Sequence, residues 1–173
     1  MNDAEQALTV LAGKLGLPSL AYNANGAAEV ILGGGMSVYL SKVDSTIVEA
    51  SVRLEDLDFA DAEMMQAMLE ANFLGAGTGA GRLAVDSDTG ETIYCCRWHV
   101  GEMDATALEA RFADFAELGL FWATEGGEQL RQHADALRDE RERLRREDTP
   151  PPIERAWDAD DEDGEEGVVM VRL

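Results

Sequence analysis

Few residues in this chain have the types and spacing that chemistry needs. Gly75-x-Gly77-x-x-Ala80 matches the loose glycine pattern with which a turn cradles a pyrophosphate. That chemistry requires a strand before the glycines and a helix after them, so that helix N–H groups point at the anion. Here the hydrophobic pattern predicts a helix before and a strand after, and no Lys-Ser/Thr follows. The stretch reads as a helix-to-strand connection. Asp86-x-Asp88-x-Gly90 resembles the start of a calcium loop, but Gly90 takes the third ligand position and Arg97 stands where a bidentate Glu is needed. A turn between strands explains it better. Cys95 and Cys96 are the only cysteines. Neighbours on a strand point to opposite faces, so a mutual disulfide is disfavoured, and two thiols are too few for zinc. They read as reduced cysteines of a cytosolic protein. His99 and His133 fall in different elements, and no nucleophile–His–acid or His-Glu-x-x-His arrangement exists. With 35 acidic residues some carboxylates will be close by chance. The expectation is a protein that is not an enzyme and uses no cofactor or metal.

The elements that would position these residues are legible from periodicity. A helix is predicted over 3–15, with Asn2 and Glu5 as a capping box and Ala4, Leu8, Leu11 and Leu15 at helical spacing. Short strands are predicted at 20–22 and 28–32, flanking Asn23-Ala24-Asn25-Gly26, and at 36–43 and 46–54, flanking Asp44-Ser45. Val48, Ala50, Val52 and Leu54 alternate with polar residues, the mark of a half-buried strand. A second helix is predicted over 61–73, with Asp61 as N-cap and Gly75 as stop. Strands at 82–85 and 92–98 form a hairpin. A third helix starts at Asp104 and presents Leu108, Phe112, Phe115, Gly119 and Trp122 on one stripe. The order is α-β-β-β-(β)-α-β-β-α, an α+β fold with helices on an antiparallel sheet. The predicted organisation is a globular domain over 1–125, a charged helical extension over 126–148 and an acidic, disordered tail over 149–173. Seven acids in nine positions over 158–166 motivate that last reading, while 168–171 could add a strand at an unspecified place.

The charge is unusual. The net value is -21, and residues 1–127 alone carry 20 acidic against 6 basic side chains, while 128–147 carry 6 of each. Such a field repels phosphate backbones and anionic bilayers, so neither nucleic acid nor membrane is expected as a partner. The opening residues show no signal-peptide pattern, and no run approaches a membrane span.

The stretch Leu69-Glu70-Ala71-Asn72-Phe73-Leu74-Gly75-Ala76-Gly77-Thr78-Gly79-Ala80-Gly81, followed by Leu83-Ala84-Val85-Asp86, resembles the class I type III secretion chaperones, the CesT-like (Tir chaperone) family. Leu11-Ala12-x-x-Leu15-Gly16-Leu17-Pro18 is similar to that family's first helix and exit. Leu108-Glu109-Ala110-Arg111-Phe112-Ala113-Asp114-Phe115 after Met103-Asp104 is similar to its aromatic helix. The resemblance spans about residues 3–123. It implies a bacterial cytoplasmic homodimer that holds the N-terminal region of a secreted effector in extended form, keeping it soluble, with the secretion-apparatus ATPase as a further partner. It implies a dimer interface at Met64, Met65, Met68, Leu69 and Phe73, for which core packing of an amphipathic helix is the alternative. Effector contacts would fall at Leu17, Leu20, Tyr22, Val30 and Leu32, with strand addition at a free sheet edge. These too could be plain core. The competing reading is an acidic adaptor or inhibitor that engages a basic protein by charge mimicry.

Overall fold

The computed structural model describes residues 3–147, apart from 56, 58–60 and 76. Its elements are α1 (Ala4–Leu15), β1 (Ala27–Ile31), β2 (Ser37–Lys42), β3 (Ile47–Arg53), α2 (Ala62–Asn72), β4 (Arg82–Val85), β5 (Thr92–His99), α3 (Ala105–Phe121) and α4 (Gly127–Glu147). The five strands form one antiparallel sheet in the order β1-β2-β3-β5-β4. This is the α+β architecture that the alternation of periods predicts.

Alternation along the strands decides which face is inside. Val48, Ala50 and Val52 of β3 point inward, paired in register with Trp98, Cys96 and Tyr94 of β5. α3 lies across this face, with Leu108, Phe112, Phe115 and Gly119 buried. Tyr94 stacks on Phe115 at 5.3 Å between ring centroids, and Trp98 meets Phe112 and Phe115 edge-on. Gly119 lets α3 come close, since a Cβ there would sit 3.0 Å from Val52 Cγ2. α1 completes the core with Ala4, Ala7, Leu8, Leu11 and Ala12, which recur at the three- and four-residue steps of one helical face. Its N-cap is Asp3, whose carboxylate accepts from the Gln6 N–H at 2.8 Å. That shifts the cap one residue from the expected Asn2, which lies outside the described residues, as does the whole tail from 148.

One predicted element is absent. Residues 20–22 are not a strand, because the Asn23 side chain and backbone take the ladder positions a strand would use. Asn23 Oδ1 accepts from the N–H groups of Asn25 and Ala27, and Asn23 N–H donates to Ala27 O at 2.8 Å. The Asn-Gly signal therefore marks a turn leading into β1, whose ladder partner is β2.

The charged helix α4 does not stand free. It runs antiparallel to α2 and buries Leu130 and Ala134 against the core.

Candidate functional site

Two features of the surface have no explanation in the fold's own packing: an apolar stripe on α2 and an open stretch of sheet edge beside α1. The stripe follows from the helix period. Asp61 caps α2 by accepting from the Met64 N–H at 2.9 Å. The helix it starts turns Ala67 and Met68 into the core, with Met64 half-buried beside them. Met65, Leu69 and Phe73, four apart, then share the opposite side and are 50%, 70% and 69% exposed. Leu74 continues the patch at 86% exposure with φ 56 and ψ 14. A leucine in that left-handed region costs roughly 1–2 kcal/mol, and no packing among the described residues offsets it. Of the five residues expected at a dimer interface, Met65, Leu69 and Phe73 thus face solvent together, while Met64 and Met68 face inward. The pattern missed Leu74, because its presentation depends on a backbone conformation that sequence spacing does not show.

The sheet edges are treated unequally. At β4, the Asn72 carboxamide acts as a substitute strand: Nδ2 donates to Leu83 O at 3.0 Å and Oδ1 accepts from Leu83 N–H at 2.8 Å. At β1, Asn23 blocks Ala27 in a similar way. Lys42 N–H donates to Gly26 O and Leu32 N–H to Met36 O, which fixes the alternation of the β1–β2 ladder. Glu29 and Ile31 therefore turn their own N–H and C=O groups outward. Ile31 is also exposed, a residue the sequence reading passed over.

The expected effector contacts lie in β1 and in the segments of chain on either side of it. Leu17, Leu20, Tyr22 and Leu32 are half-buried against the core, and Val30 is 2% exposed and belongs to it. The Tyr22 hydroxyl is enclosed without a hydrogen-bond partner within the described residues. Burial, followed by the charge of Glu5, pushes its pKa up to about 12, so it stays a neutral donor.

The outer sheet face is ionic. Glu49 accepts from Arg97 Nε at 2.8 Å and also pairs with Arg82. Cys95 is buried on this face and its thiol is pushed up to about 12, chiefly by burial. Burial also raises the Cys96 thiol on the inner face. Neither is poised as a nucleophile. The glycine loop packs rather than cradles: Tyr94 donates to Thr78 O at 2.9 Å, and a Cβ on Gly81 would meet the Tyr94 hydroxyl at 2.4 Å. The calcium-like loop is a turn, with Asp86 Oδ1 accepting from the Asp88 N–H. His133 sits beside Glu70 on the α2–α4 seam, remote in sequence from His99. Among the described residues no helix is long and apolar enough to cross a membrane.

Comparison with known proteins adds a second line of support. The family model of the Tir chaperone protein (CesT) family matches residues 6–122. No curated protein matches the sequence. Solved structures share the fold, among them the following three. The ExsC–ExsE complex matches at TM-score 0.55 and 17% identity, covering 69% of this chain and 90% of that one. The HopA1–SchA chaperone–effector complex matches at 0.54 and 14%, covering 68% and 91%. The Yersinia pestis type III secretion chaperone SycH, in complex with a stable fragment of YscM2, matches at 0.51 and 18%, covering 67% and 96%.

Proposed function

Because this chain belongs to the Tir chaperone protein (CesT) family, we propose that it is a type III secretion chaperone that binds the N-terminal region of a secreted effector in extended form. One similar structure is a chaperone–effector complex and another a type III secretion chaperone with a bound fragment. The observation that carries the reading is the open β1 edge at Glu29 and Ile31, with half-buried Leu17, Leu20, Tyr22 and Leu32 in the segments that precede and follow β1 in the chain. An extended client would pair its backbone there and lay alternate side chains against these apolar residues. The Tyr22 hydroxyl gains a partner on binding, offsetting a group that costs about 1–3 kcal/mol unsatisfied. Val30 supports the groove from beneath.

Two copies would associate through Met65, Leu69, Phe73 and Leu74, with Met64 and Met68 bracing α2 from inside. Assembly would recover the strain held at Leu74. The protein would act in the bacterial cytoplasm and catalyse nothing, consistent with its buried, high-pKa thiols.

The client is identified by co-purification and mass spectrometry, and its N-terminal segment is then titrated by calorimetry. Apolar contacts should survive ~0.5 M salt, where the Debye length is about 4–5 Å, and give a negative heat-capacity change. Replacing Leu20 with Ser or Ile31 with Asp should weaken binding more than reversing the charge of Arg53. An affinity that collapses with salt, with little heat-capacity change, would instead favour the acidic-mimic reading that a net charge of -21 allows.

A further inference from the structure

The α2 stripe lies on an acidic segment of the chain. Between Arg53 and Arg82 there is no Lys or Arg, but there are six acids: Glu55, Asp56, Asp58, Asp61, Glu63 and Glu70. A two-fold pairing of α2 doubles the charge of Asp61, Glu63 and Glu70 across a seam about one helix diameter, roughly 10 Å, wide. At physiological salt the Debye length is about 8 Å, so the repulsion is only partly screened.

The side chains that pair with three of these acids come from α4. Arg138 pairs with Asp61 at 2.6 Å, Arg141 with Glu63, and His133 with Glu70 at 2.5 Å. The helix sorts its own charge to do this. Over 128–147 it is neutral overall, yet Arg138 and Arg141 turn toward α2. Glu142 and Glu147 are engaged along the helix itself by Arg146 and Arg143. Leu130 and Ala134 fix its near half in the core, which holds the arginines in place. The Asp61 carboxyl is held below its usual range by the Met64 N–H and then by Arg138, so the pair stays ionised. α4 also lies outside the segment that matches the family, which ends at 122.

We infer that α4 is an electrostatic brace, neutralising the acidic flank of α2 so that two copies of this chain can bring their α2 stripes together. The inference rests on the α2 seam proposed above. It gives the extension a role that solubilisation does not explain, since a net-neutral helix adds nothing to the charge that keeps the protein dispersed.

Sedimentation equilibrium of the full chain separates the possibilities. The double variant Arg138→Gln/Arg141→Gln should raise the dimer dissociation constant about tenfold at ~50 mM salt and approach the unaltered chain at ~0.5 M. The swap Glu63→Arg/Arg141→Glu restores a pair with reversed signs and should stay within about twofold. Leu69→Asp should be monomeric at both salts. Far-UV dichroism and emission from buried Trp122 report that α4 remains docked. A double variant as tight as the unaltered chain at low salt, beside a monomeric Leu69→Asp, removes the brace and leaves the seam standing. Weakening that is equal at both salts and shared by the swap also overturns the brace, because α4 would then act by packing. A dimer that survives Leu69→Asp overturns the seam itself.

Discussion

Glu49 shows how far a single residue can depend on partners that sequence spacing hides. The strand alternation marks it as outward-facing on a half-buried strand, but Arg82 and Arg97 reach it from two other strands, 33 and 48 residues away. Burial works against its charge, and the Arg97 hydrogen bond with the charges of Arg82 and Arg97 outweighs that, leaving the carboxyl below its usual range. A depressed folded-state pKa stabilises at pH values above the unfolded one, near 4.5, and that contribution disappears as the pH falls through the folded value. Glu49→Gln should therefore cost about 1 kcal/mol at neutral pH, with both arginines left without their carboxylate. In urea unfolding the gap to the unaltered chain should close as the pH falls below the ordinary carboxylate range. A gap that persists there would mean that the shape of the side chain matters, and not its charge.

Most elements were readable because they are local. Asp61 and Asp104 cap the helices expected of them, and β4 begins and ends at Arg82 and Val85 as the pattern predicts. The misread strand at 20–22 failed because a turn asparagine can satisfy an edge as well as a strand can. The docking of α4 was obscured by composition: Leu130, Ala134 and Leu137 repeat at helical spacing, but the arginines and glutamates around them imitate a solvated face. The solvent-facing stripe of α2 was half legible, since periodicity named its residues without saying which side faces out. The most consequential tertiary device, Asn72 on β4, gives no pattern at all. Asn72→Ala should leave the Leu83 N–H and C=O without partners and cost about 1–3 kcal/mol. The Leu83 amide should then exchange faster with solvent than its neighbours. Asn72→Asp retains the acceptor and should lose less. Unchanged exchange at Leu83 would show that another group closes this edge.

For the whole molecule, the core closes within the described residues, from Ala4 to Ala134. Deleting 148–173 removes nine acidic and two basic side chains. Because so acidic a composition offers little apolar surface to bury, the melting temperature should move by no more than about 2 °C. A large fall would show that 168–171 docks onto the folded part. The slot at Glu29 and Ile31 has a consequence of a different kind. It occurs once per protomer, so a two-fold assembly presents two vacancies of identical shape. A polypeptide has a direction and no internal two-fold axis. A single client that fills both vacancies must therefore offer two different stretches of its own sequence to the same receptor, and the slot can recognise only what those stretches share. Backbone pairing and alternating apolar side chains meet that demand, so under the proposed function the grammar of an extended strand, and not any one sequence, would be the thing this surface reads.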